Sequence, residues 1–102
     1  MENIVRLIHL WHVPSYNNPS ELQSIEIMVL KGENGDEIHA SIKRLLIITY
    51  QHLLNEGESY TIILFGVGLN SGYYKPDSHA YKINFLNITK LDGILMLEFL
   101  YM

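Results

Sequence analysis

Five stretches of the chain carry apolar residues at strand-like spacing, and a sixth repeats at helical spacing. In the first, residues 4–13, Val5, Leu7, His9 and Trp11 fall on one face of an extended chain, and Ile4, Arg6, Ile8, Leu10 and His12 on the other. Apolar groups on both faces predict a long strand buried on part of each side. "PSYNNPSELQS" follows, rich in Pro, Asn and Ser, and reads as a loop. The second strand is predicted over residues 25–31. Asn34-Gly35 is then a hairpin signal, and the third strand covers residues 37–43. Its alternation points Ile38, Ala40 and Ile42 inward and Glu37, His39, Ser41 and Lys43 outward. Residues 44–57 offer two apolar helical faces, Leu45/Ile48/His52 and Leu46/Tyr50/Leu53/Leu54, with Gly57 as a stop. The fourth strand is predicted over residues 59–69. The fifth spans about residues 79–90, with Tyr81, Ile83 and Phe85 inward and Lys82 and Asn84 outward.

Strand, strand, strand, helix, strand, strand is the element order of the OB-fold. The expectation is therefore an all-β, five-stranded Greek-key barrel with one helix between strands 3 and 4. Two long loops, after the first strand and between the fourth and fifth, would flank the binding groove of such a barrel. With 102 residues the chain makes one domain, placed at residues 1–91, followed by an apolar tail at residues 92–102. The tail must cover the barrel or meet a partner, so a protein partner or self-association through it is expected.

Composition narrows the chemistry. There is no cysteine, which excludes a disulfide scaffold, a thiolate zinc site and a cysteine nucleophile. The start, "MENIVRLIHLW", lacks a basic segment followed by a long apolar run, and no stretch approaches the ~20 apolar residues that span a bilayer. No membrane role is expected. The net charge of −4 argues against a generally basic nucleic-acid binder, so such a role must rest on a local patch and on stacking aromatics.

Several strings, "VPSYNNPSELQSIEIMVL", "GDEIHASI", "EGESYTIILFGVGLNSGYY" and "HAYKINF", together resemble the plant OB-fold proteins similar to the first DNA-binding barrel of the replication protein A large subunit. The resemblance implies single-stranded nucleic-acid binding in the nucleus, in DNA replication or repair. It also implies that an aromatic near Tyr16 stacks on a base and that the position of Lys82 contacts the strand. The chain departs from the family in being one barrel and in lacking the cysteines of its zinc ribbon.

The binding candidates are then Tyr16 in the first long loop; Tyr73, Tyr74 and Lys75 in the second; His39, Ser41, Lys43 and Arg44 along the third strand and its end; and Lys82 and Asn84 on the fifth. Exposed rings stack on bases of any sequence, and Lys and Arg meet phosphates, while Asn, Ser and His bond base edges or sugars. Tyrosines in such loops also pack locally, and single cations also decorate solvated faces. His9-x-x-His12 on a strand puts its rings on opposite faces, so no metal site is expected. Phosphate-loop, hydrolase and zincin motifs are missing, Glu33, Asp36 and Glu37 sit at a turn, and no catalytic residue or cofactor is expected. The leading reading is a non-enzymatic module for single-stranded DNA, with RNA as an alternative ligand. The rival is a protein-interaction barrel that assembles a larger DNA-maintenance complex.

Overall fold

A computed structural model describes residues 3–31, 35–69 and 81–94. The chain forms β1 (Asn3–Pro14), β2 (Leu22–Lys31), β3 (Asp36–Lys43), α1 (Arg44–Tyr50), β4 (Ser59–Ile63), β5 (Gly66–Leu69), β6 (Tyr81–Asn84) and β7 (Lys90–Ile94), with one 3-10 turn at Gln51–Leu53. The strands make one sheet in the order β5-β6-β3-β2-β1-β4-β7. All ladders are antiparallel except β3 with β6. β4 and β5, at opposite sides of this order, are joined only by Leu64 and Phe65, so the sheet must curl on itself. This is an OB-fold barrel with its helix after the third strand.

Among the described residues the barrel has seven strands where five are expected, because the fourth predicted run is broken once and a further strand, β7, forms past the end of the fifth. The fourth run breaks at Leu64, which has φ +60°, a left-handed conformation that turns the chain from β1's edge toward β6. The fifth is cut short after Asn84 by a turn closed by the Thr89 amide donating to the Leu86 carbonyl at 3.1 Å, and β7 starts beyond it. Thr89 Oγ1 accepts from the Leu86 amide at 2.8 Å and donates to the Leu64 carbonyl at 3.0 Å, so one buried hydroxyl ties the two breaks together. β7 carries sheet pairing to Ile94, beyond the boundary placed at residue 91. Residues 95–102, on which most of the tail expectation rests, lie outside the described residues.

Inward positions form the core: Val5, Leu7, Ile25, Ile27, Val29, Ala40, Ile42, Ile62, Ile83 and Phe85 are buried. Ile47, Tyr50 and Leu54 close one end of the barrel. Tyr50 packs edge-on against Phe85, with ring centroids 5.0 Å apart. Its hydroxyl lies 2.8 Å from the Leu86 carbonyl and 2.7 Å from that of Thr89, sharing its proton between them. This bond selects which apolar face of α1 turns inward and leaves Leu45 and Ile48 in solvent, 88% and 77% exposed. Tyr50→Phe keeps the ring but removes the hydroxyl donor from the Thr89 carbonyl, while that of Leu86 keeps the Thr89 amide. The substitution is expected to lower stability by ~1–2 kcal/mol in urea unfolding, with the barrel's circular dichroism retained.

β1 does not alternate strictly. Its register against β2 slips between Leu7 and His9, so Ile8 is extra. The bulge releases backbone groups that residues 56–58 take up. The Leu10 amide donates to Glu56 Oε2 at 2.8 Å, and the Gly57 amide donates to the Leu7 carbonyl at 2.7 Å. Gly57 adopts φ +89°, which disfavours a side chain there. Past the bulge the faces of β1 exchange, as any one-residue slip requires. Val5 and Leu7 point inward, but Trp11, expected on their face, pairs with Glu26 on the outer face and is 39% exposed.

Candidate nucleic-acid interface

Directly paired residues in a sheet share a face, so the ladders define the outer surface of the barrel. One row runs Trp11, Glu26, Ser41, Asn84 and Gly66 across β1, β2, β3, β6 and β5. A second holds Val13, Ser24 and Lys43, and a third His9, Met28 and His39. Ser41, Lys43, Arg44, Lys82 and Asn84 all line one open groove over these rows. The groove encloses about 1150 Å³, more than a pocket for one small molecule and suited to a length of polymer. Leu45, Leu46, Val67 and Leu86 supply apolar walls.

Small residues keep the groove open on β5. A Cβ on Gly68 would meet Asn84 Nδ2 at 2.8 Å, so the carboxamide lies against bare backbone. Gly68→Ala is expected to push this flexible side chain aside. The change should shift stability by less than ~1 kcal/mol, checked by unfolding curves.

The floor is polar and partly acidic. Glu26 Oε1 accepts from Ser41 Oγ and meets His39 Nε2 at 2.7 Å. Burial pushes the Glu26 carboxyl up, but hydrogen bonds from His39, Ser24 and Ser41 and the charge of His39 outweigh it, and the group is held below its usual range. With its pKa lowered on folding, Glu26 contributes stability above the unfolded carboxylate pKa that is lost as pH falls through the folded one. Ser41 donates its proton to Glu26, and the His39 imidazole meets the carboxylate instead of the hydroxyl.

His39 departs from its expected role. It points outward as its parity requires, but its side chain is only 14% exposed, held by Glu26 and by the Trp11 ring at 5.6 Å. Its Nδ1 is buried and has no partner among the described residues. The ring braces the floor and presents no polar edge to the groove. Arg44 reaches Glu21 at 2.7 Å, with both groups about half exposed, which ties the first long loop to the groove wall. An exposed pair of this kind contributes little to stability.

Tyr16 is 98% exposed and is not among the residues lining the groove. Its loop is braced from within: Asn18 Oδ1 accepts from Ser20 Oγ at 2.7 Å, and the Ser15 amide donates to the Glu21 carbonyl at 2.8 Å. Tyr73, Tyr74 and Lys75 lie outside the described residues. Two residues that line the groove, Glu26 and Ser24, escape the sequence pattern, as does Trp11, which stands beside Glu26 without lining the groove. Glu26 carries no outward signal beyond its parity on β2, Ser24 looks like part of a loop, and Trp11 is hidden by the bulge.

The family model for a domain of unknown function, DUF223, matches residues 3–98. Among solved structures, a chain of a replication protein A heterotrimer bound to ssDNA is similar over 92% of this chain, with a TM-score of 0.71 and 18% identity. This chain spans 22% of the length of that one. No curated protein matches.

Proposed function

Given that the chain belongs to the DUF223 family and folds as a replication-protein-A-like OB barrel, we propose that it is a non-enzymatic module that binds single-stranded DNA in the outer groove. The observation that carries this is the convergence of Lys43, Lys82, Ser41 and Asn84, from β3 and β6, on one open groove beside an exposed tryptophan. The cations meet phosphates, Asn84 and the Ser24 hydroxyl reach bases or sugars, and Trp11 offers a stacking face. Glu26 opposes this with one negative charge at the centre. Glu26→Gln is therefore expected to raise affinity about two- to fivefold at low salt, with the gain shrinking as salt is added, measured by anisotropy of a labelled oligonucleotide.

Trp11 is the one tryptophan of the chain, so its emission reports on this surface. Titration with oligo-dT is expected to quench it to saturation, and oligo-U in parallel ranks DNA against RNA. The absence of quenching and of anisotropy change at low salt would refute the proposal. The protein-interaction reading is favoured by the exposed Leu45 and Ile48 on α1, and it predicts that same negative result. A nuclear location belongs to the proposal and is checked by imaging a tagged chain.

A further inference from the structure

The barrel mouth away from α1 holds a second recess, distinct in shape and chemistry from the groove. It is lined by Val5, Ile38, Phe65, Val67, Tyr81 and Ile83, together with Lys31 and Lys82, and encloses about 150 Å³. Val5, Ile38, Val67 and Ile83 are inward positions of β1, β3, β5 and β6, so the recess is the open end of the core itself. Lys31 breaks that pattern. It is two residues beyond buried Val29 on the same face of β2 and directly across from Val5, where the inward series calls for an apolar group. Asp36, its partner across the hairpin, is not among the lining residues, and the ion pairs among the described residues are His39–Glu26 and Arg44–Glu21.

Size and chemistry together specify an occupant. A recess near 150 Å³ lined by apolar side chains matches one benzene-sized ring, and it is open to solvent at the mouth. Phe65 and Tyr81 supply aromatic surface. The lysines supply donors and no acceptors, which suits a ring bearing carbonyl oxygens. Val67 and Lys82 line both the recess and the groove, so a strand in the groove passes the mouth. We infer that the mouth receives one unstacked pyrimidine base, whose carbonyl oxygen accepts from Lys31. A purine is disfavoured because its second ring exceeds the recess, and adenine also because it lacks a carbonyl. The inference rests on the strand-binding reading above and adds to it a base preference with its own site.

The test compares oligo-dT with oligo-dA, using the wild-type chain, Lys31→Gln and Val67→Trp. Lys31 lies outside the groove; Val67, where a larger ring fills the recess, also lines the groove wall, so the dT-to-dA ratio and not the absolute affinity is read for that variant. Wild type is expected to prefer oligo-dT. Both variants should lower the dT-to-dA affinity ratio, by about tenfold for the lost charged hydrogen bond. The ratio cancels the self-stacking of oligo-dA, which is common to all three proteins. If Lys31→Gln weakens both oligonucleotides equally, Lys31 is a phosphate contact and the base site is overturned while strand binding stands. A ratio unchanged in both variants overturns it likewise. If wild type binds neither oligonucleotide, the groove reading fails and the base site falls with it.

Discussion

Replacing Lys43 and Lys82 together by glutamine is expected to weaken oligo-dT binding roughly fifty- to a hundredfold near 50 mM salt, because each phosphate contact on a single strand contributes about 0.7 to the slope of log K on log salt. Both side chains line the groove, from β3 and β6, so one strand can meet both. Arg44 adds a third contact once it leaves Glu21. Wild type should then show a slope of about −2, and the double variant one of about −0.7. The loss should fade toward molar salt. A deficit that persists undiminished at high salt would mean that the lysines support the fold or contact bases. Unfolding curves separate the first of these, since neither side chain belongs to the core.

Trp11→Ala is expected to cost ~1–3 kcal/mol of binding free energy, about fivefold to more than a hundredfold, with little dependence on base sequence or salt. The ring stands on the outer face, beside Glu26 in the row that continues through Ser41 and Asn84, and it is 39% exposed despite its contact with His39. Trp11→Phe should recover part of the affinity, because a smaller aromatic still stacks. If alanine and phenylalanine behave alike, the ring does not stack on a base and Trp11 serves only to cover His39.

The contrast between these two predictions shows what the chain's pattern can encode. Lys43 and Lys82 are legible as groove positions because Ala40, Ile42, Ile83 and Phe85 go inward and their neighbours outward, although Tyr81, also expected inward, stands at the start of β6 and is 56% exposed. Trp11 is not legible, because the slip after Leu7 exchanges the faces of β1, and both faces of that strand are apolar. The extra strands were hidden for a related reason. Leu64 adopts a left-handed turn that leucine has no preference for, held by Thr89 from 25 positions away. The helix offered two apolar faces of similar strength. The choice between them rests on Tyr50 reaching the carbonyls of Leu86 and Thr89, a tertiary bond that periodicity does not record. His39 was read correctly as outward, but its removal from solvent depends on Glu26 and Trp11, which lie on other strands.

The central claim is one of place: the strand lies in the outer groove, across β2, β3 and β6. Amide chemical-shift mapping by NMR during an oligo-dT titration tests it most directly. The account predicts the largest shifts at Ser24, Ser41, Lys43, Lys82 and Asn84 and at the indole of Trp11, with β4 and β7 little changed. Shifts centred on the exposed face of α1 around Leu45 and Ile48, or along β7, with the groove amides unmoved, would contradict it.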